Sequence, residues 1–558
     1  MAHHFFERQV HILLDATSNG AVMGLTLTSQ YEAFWSDPSD VPIIWIGLLF
    51  SMICLALLAS DAADTAQGDP EHRSLQVDLY RERTVQCLIM GEYTKSGPHV
   101  LETFIHYVYI ELILRDDADK DIWSLFALEV NLAMRMGYHR DPSHFQGISP
   151  LHAEMRRRLW ATVLQGDILV PSQMGMPRML SDWKCDTAEP RNLNDADVDE
   201  TTTELPPSRP ETELTPALGI IARRRMFVAL GAVLDLTSAV QPCKYADVMR
   251  VDSILQEAAA SIPPPLKPKP MASSVTDSPE TIMARLFIEN LFHMGRIMLH
   301  RRFLHVESTS PEHDLFAYSR TSCLEASLAA LHIQNILDEE TRPGGQLYMM
   351  RWRVSSIMNH TFLTATMVLC SMVHRGQTLQ RDGEILSALR RARSIWMRAS
   401  SSSTEARKAA ETVNIVLARA GDRGLAQGSG DMVLTDPSGN SSSEAGKIGG
   451  QEQDSLLLHN TGLGGSLFDG KCSLCSTQGR NVDHQTAVTF VMPRLPGTLN
   501  RDVQGPTMDF NTDIPTDNTD VDLDQWLQVN SPGTNWQHCG LHHTSESRIP
   551  CEGEEKRR

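Results

Sequence analysis

The stretch that most constrains this chain is "VPIIWIGLLFSMICLALLAS", residues 41–60, twenty residues without a charge. Such a run has to be kept from water, by a bilayer or by the protein's own core, and at helical rise it is long enough to span hydrocarbon. Asp37 and Asp40 precede it and Asp61 and Asp64 follow it, with no Lys or Arg at either end to anchor or orient a span, and Ser, Gly and Cys dilute it. The flanks favour a helix buried in a protein core. A membrane-associated protein anchored by residues 41–60 stands as the alternative.

A buried helix needs other helices to cover it, and the surrounding text supplies them. From about residue 28 to 190, long apolar-periodic stretches alternate with short Gly, Pro and Asp breaks, without the alternation of strands. In "DIWSLFALEVNLAMRMG", Asp121 is placed to cap, Ile122, Leu125, Phe126, Leu128, Leu132 and Met136 recur mostly at three- and four-residue steps, and Gly137 supplies a left-handed stop. Another helix starts at "SPLHAEMRRRLW", with Ser149 as cap and Pro150 at the first helical position.

Helical text covers residues 28–420, behind an N-terminal segment, 1–27, that carries no assigned element. Two loops interrupt it, an acidic Pro-rich one near 194–216 and one near 261–280 that is partly polyproline in character. From 421 to 558, Gly, Ser, Asp, Asn and Thr dominate, so this tail lacks the apolar surface to offset its ordering entropy and reads as disordered. The fold class expected is all-α, followed by that tail.

The 558 residues, 41% of them hydrophobic, suffice for a sizeable core. Fifty basic against 69 acidic residues give a net charge of -19, which repels a phosphate backbone unless a basic patch is segregated, and no run exceeds three arginines. Ten scattered cysteines lack the dense, even spacing of a disulfide framework, which suits a reducing cytosol or nucleus. "MAHHFFERQVHILLDATSNG" has neither a secretory apolar core nor an Arg-rich transit helix.

Two neighbouring features look functional. His139-Arg140-Asp141 resembles a kinase catalytic loop, but Pro142 follows Asp141, Gln146 stands where a magnesium-binding Asn is needed, and Phe468-Asp469-Gly470 has the wrong order for the metal-binding triplet. Arg156, Arg157 and Arg158, followed by Leu159 and Trp160, suggest a nucleic-acid face. Consecutive helical residues point 100° apart, so three arginines cannot form one stripe and at least one faces inward. Glu154 stands four residues before Arg158, and the structural reading is a core helix whose arginines pair with acids such as Asp167 or Asp141. Cys472 and Cys475 supply half a zinc site at most, and neither G-x-x-x-x-G-K-[ST], H-E-x-x-H nor G-x-S-x-G occurs, so no catalytic residue and no cofactor or metal ligand is assigned. A soluble enzyme of unrecognised type remains a third reading.

Taken in order, Tyr31, Phe34-Trp35, Trp45, Ala133, Gly137, His139-Arg140-Asp141, Glu154, Arg156 to Trp160, Asp167, Ser172, Gly175 and Pro177 resemble the middle homology region of fungal zinc-cluster transcription factors. The resemblance covers residues 28–200 closely and the helical text to 420 loosely. It implies an α-helical regulatory domain in which these residues are structural, a nuclear location, and control of a metabolic or secondary-metabolite pathway. Ala161 and Met176 depart from the family pattern, which often has a second tryptophan and an arginine there. The resemblance also implies six zinc-binding cysteines near the N-terminus, and none precede Tyr31. The expectation is a chain that does not bind DNA by itself and acts with the transcription machinery or another DNA-binding regulator, as a homo- or heterodimer, unless the module lies upstream of Met1. In the tail, "MDFNTDIPTDNTDVDLDQWLQ", residues 508–528, sets Leu523, Trp526 and Leu527 at i, i+3 and i+4 among aspartates, the pattern of an activation segment that becomes helical on a partner.

Overall fold

The computed structural model describes residues 41–61, 70–241, 243–306 and 314–428, with Tyr31, Phe34, Trp35 and Asp37 ahead of them. Among these residues the regular elements are all helical and no strand occurs. In chain order the α-helices are α1 (Ile43–Asp61), α2 (Pro70–Met90), α3 (Val100–Ile113), α4 (Lys120–Arg135), α5 (Pro150–Met174) and α6 (Pro216–Thr237). They continue with α7 (Tyr245–Ala260), α8 (Pro279–His300), α9 (Ala317–Glu340), α10 (Ser356–Arg375), α11 (Asp382–Ala399) and α12 (Thr404–Gly428). The all-α expectation therefore holds. Residues 1–27, the Cys472–Cys475 pair and the segment 508–528 with Leu523, Trp526 and Leu527 lie outside the described residues, as does the tail beyond Gly428.

Three helices begin with one device. At Ser149-Pro150, Thr215-Pro216 and Ser278-Pro279 the hydroxyl accepts the backbone N–H three residues on, each at 3.3 Å, while proline at the first helical position gives up an N–H that had no partner to lose. Helices α5 and α10 stop at Gly175 and Gly376, both left-handed at φ +66° and +68°. Gly137 takes φ +75° after α4, as read from the sequence, but that helix is capped by Asp119 and not by Asp121. Both aspartates could cap. Arg115 holds the Asp119 carboxylate in place, and its Oδ1 accepts the Asp121 N–H at 2.8 Å, so Asp121 falls in the first turn.

The charge-free run forms α1 and is covered by α2 and α3. Leu48, Met52, Ile53, Cys54 and Leu55 are each at most 2% exposed, and a Cβ at Gly47 would lie 2.8 Å from that of Cys87 on α2, so the two backbones approach closely. One described helix, α10, is long and apolar enough to cross a membrane, and 89% of its apolar window is buried inside the protein. The main core gathers α3 to α8 around Trp160 and Phe227, and a second core joins α8 to α12. Both loops bury apolar side chains, the second within the main core. Leu193 and Val198 are buried from the first, and Ile262 and Leu266 from the second. Asn192, 1% exposed, donates to the carbonyls of Pro210 and Glu213 and accepts from Thr215, which pins the acidic loop to the start of α6.

Candidate functional site

The three consecutive arginines on α5 leave the helix in three directions and find three different anchors. Arg156 donates to the Met136 carbonyl at 2.8 Å and lies 4.1 Å from the Tyr138 ring centroid, closing the end of α4. Arg157 grips Asp141 with two hydrogen bonds of 2.9 Å. Arg158, 5% exposed, bridges Glu154 on its own helix at 3.3 Å and Asp195 in the acidic loop at 3.1 Å. A helix turning 100° per residue separates the three, so they present no common basic face. Leu159 is half-buried beside them, and Trp160 is 1% exposed in the main core with its ring 6.4 Å from that of His139.

Asp141 is the centre of this clasp. Besides Arg157 it accepts the N–H of Ser143 at 3.0 Å and of Ala188 at 2.9 Å, and these bonds outweigh burial to hold its carboxyl well below the usual carboxylate range. Its neighbours serve the same corner. Asp186 accepts from the Asp141 N–H at 2.9 Å and pairs with Arg140 at 3.0 Å, while the His139 carbonyl accepts from Asp186 at 3.0 Å. Glu154 also takes the Arg191 N–H at 3.0 Å. The pairing of Asp167 with these arginines does not occur. Asp167 is 0% exposed and accepts the N–H of Met179 and Leu180 at 2.8 and 3.1 Å, fastening the chain that turns at Gly175 and Pro177 back onto α5. Burial nevertheless pushes its carboxyl up to about 6. The next residue, Arg178, pairs with Asp182 and Asp235 across Gly231, a contact that the motif reading did not include.

A second polar cluster has the outline of a nucleophile triad. Ser319 Oγ stands 3.0 Å from His300 Nδ1, and His300 Nε2 stands 3.2 Å from Asp252 Oδ1. Ser319 and His300 are both 0% exposed, the Tyr245 hydroxyl sits 3.0 Å from Ser319, and Tyr318 and Gln256 donate to Asp252. A serine with no access to substrate and a second hydroxyl on its oxygen cannot attack anything. The cluster locks α7, α8 and α9 together.

A cavity with charged lining lies elsewhere in the domain. A cavity of ≈ 170 Å³ lies where α3, α4, α5, α6 and α8 meet the 3-10 turn Tyr348–Arg353 and the start of α10. Tyr109, Phe126, Phe287 and Trp352 give it aromatic walls. Gly166 makes the room, because a Cβ there would stand 2.1 Å from the Phe126 ring. Three ionisable side chains face this space without an ion-pair partner among the described residues: Glu129, Arg223 and Arg353. Glu129 is 2% exposed, and burial raises its carboxyl from 4.5 to about 8. Burial, and then the charge of Arg353, lower Arg223 to about 10, and burial also lowers Arg353; an arginine guanidinium is charged near neutrality. His106 is also on the wall, neutral because burial lowers it to about 4, with Nδ1 3.0 Å from Ser51 Oγ. Sequence periodicity could not single out these groups, since Glu129 and Arg223 stand on helices as ordinary members of the pattern.

The raised Glu129 carboxyl has a pH signature. Unfolded chain releases this proton near 4.5 and folded chain near 8, so the wild type keeps its full stability below about pH 4.5 and loses some as pH rises through 8. Relative to Glu129→Gln, the loss should reach roughly 4–5 kcal/mol by about pH 9. Melting temperatures of both proteins across that range check this, and a pH-independent difference would refute the buried acid.

Helices, caps and buried ion pairs around a central cavity define an all-helical domain; among the described residues no group of three His, Cys, Asp or Glu side chains is placed to hold a metal ion. The fungal specific transcription factor domain matches residues 6–227, and the chain belongs to that family of transcription factors. Transcription factor cghF of Chaetomium globosum is 33% identical over 68% of this chain and 68% of its own length. The fusarisetin A cluster transcription factor fsa6 of Fusarium sp. (strain FN080326) is 44% identical over 70% of this chain and 53% of its own. The equisetin cluster transcription factor eqxF of Fusarium heterosporum is 42% identical over 72% and 60%. The chain thus spans between about half and two thirds of the length of these relatives. No solved structure matches it. Family and relatives are transcription factors and not enzymes, which removes the third reading.

Proposed function

We propose that this chain regulates transcription of a secondary-metabolite gene cluster in the nucleus. The observation that carries it is the similarity, over about 70% of the chain, to regulators named for such clusters. The helical domain is the regulatory body, and the residues from His139 to Pro177 hold its centre together. Its partner is the transcription machinery, contacted through Leu523, Trp526 and Leu527, or another DNA-binding regulator, and the chain acts as a homo- or heterodimer. The net charge of -19 and the divergent arginines of α5 favour that route over DNA contact by this domain.

Disrupting the locus in its host and measuring transcripts of the adjacent biosynthetic genes tests both parts. Those transcripts should fall at least about tenfold, the scale of a lost regulator contact worth about 1.4 kcal/mol. The wild-type chain should restore them and the Trp526→Ala, Leu527→Ala double variant should not. Unchanged transcripts in the disruptant overturn the cluster assignment, and full rescue by the double variant overturns the activation segment.

A further inference from the structure

The central cavity is built in a way that packing alone does not explain. A domain that only needed to fold would fill this space with apolar side chains, because an unpaired charge taken from water costs several kcal/mol while a hydrophobic residue costs nothing of the kind. Here Arg223 from α6 and Arg353 from the 3-10 turn face one space, close enough for each charge to act on the other, and neither has a carboxylate or hydrogen-bond acceptor among the described residues. Arg353 is supported from one side by the Trp352 ring at 5.1 Å, and its Nε is buried without a partner. The groups that moderate this charge are the Tyr109 phenol and, for Arg353, Glu280 as well.

The lining also includes Tyr109, Phe126, Leu169 and Phe287 and one ionisable acid without a partner among the described residues, Glu129. Burial raises that carboxyl, which near neutrality keeps a proton for donation. Gly166 leaves room for the Phe126 ring beside this space. The lining therefore matches a negatively charged group beside the two arginines joined to an apolar body against the aromatic walls.

We propose that this cavity is the binding site of a small organic acid whose anionic head pairs with Arg223 and Arg353 while its apolar body lies against Tyr109, Phe126 and Phe287. Binding would supply the counter-charge that the folded chain lacks and would join α6 and the turn before α10 to α4 and α5. An occupant thus couples the two halves of the helical domain through one set of contacts.

Octanoate and 1-octanol, equal in chain length and different in charge, test this on the purified full chain by calorimetry and thermal melting. Octanoate should bind and raise the melting temperature, and 1-octanol should do so at least about tenfold more weakly, the scale of one charged hydrogen bond. Arg223→Met and Arg353→Met should each weaken octanoate by a similar factor. The ligand-free Met variants should melt no lower than the wild type, since each removes an unpaired, half-buried charge, and this separates lost binding from lost folding. Gly166→Ala, which pushes the Phe126 ring into the space, should also weaken octanoate. Equal binding of octanoate and 1-octanol, absence of octanoate binding, or undiminished binding by both Met variants would overturn the proposal. Because binding is read on purified protein, each of these failures leaves the transcript measurements in the host unaffected.

Discussion

Trp160→Ala is expected to lower the stability of the folded chain by about 3–5 kcal/mol, the range for deleting a large aromatic from a packed core. The size follows from where α5 puts the residue. Trp160 is 1% exposed, sits among α3 to α8, and borders the corner where His139 leaves α4. Cavity formation adds to the lost transfer energy because the neighbouring helices, packed against one another, collapse only partly. Urea denaturation reads the change as a shift of midpoint at constant slope. Leu159→Ala, one position away and half-buried, should cost markedly less. A Trp160→Ala protein with an unchanged midpoint would mean that this face of α5 is open, and a partner-binding role for it would follow.

Asp141→Ala should be comparably severe, about 3–5 kcal/mol, through an electrostatic cause. The substitution leaves Arg157 without its partner and strips the Ser143 and Ala188 N–H groups of their acceptor, all at a site where Asp141 itself is 7% exposed. Arg157→Met should cost less, because Asp141 keeps both backbone donors. The folded carboxyl titrates below its unfolded value, so the clasp contributes its full stability above about pH 4 and loses it only in stronger acid. Wild type and Asp141→Ala should therefore differ most near neutrality and converge as the pH falls. An Asp141→Ala midpoint within about 0.5 kcal/mol of wild type, the level of an ordinary surface change, would show that the clasp contributes nothing.

Much of this domain is determined by features that act within a few residues of one another, and those are legible in the text. A hydroxyl followed by proline starts a helix wherever it occurs, as at Ser149, Thr215 and Ser278, because the cap bond closes three residues on. Glycine at 137 and 175 stops one because only it takes positive φ without cost. The 100° step per residue likewise dictates that Arg156, Arg157 and Arg158 part company. Even here a local tie is broken from outside, since Asp119 caps α4 in place of Asp121 once Arg115 has fixed it.

Tertiary structure alone decided which partners those directions meet. Arg158 finds Asp195, Asp141 finds Ala188, and Asp167 turns to backbone donors after Gly175 in preference to an arginine, choices set by how the segment after α5 folds back over it. The central cavity is the extreme case. Glu129, Arg223 and Arg353 are ordinary charged residues in their own helices and turns, separated by long stretches of chain, and become exceptional only when folding brings them to one water-poor space without counter-charges. Periodicity reports which side of a helix is apolar because that depends on neighbours three and four residues away. The charge left unpaired in a cavity depends on every element that surrounds it, and the sequence carries that information only through the fold.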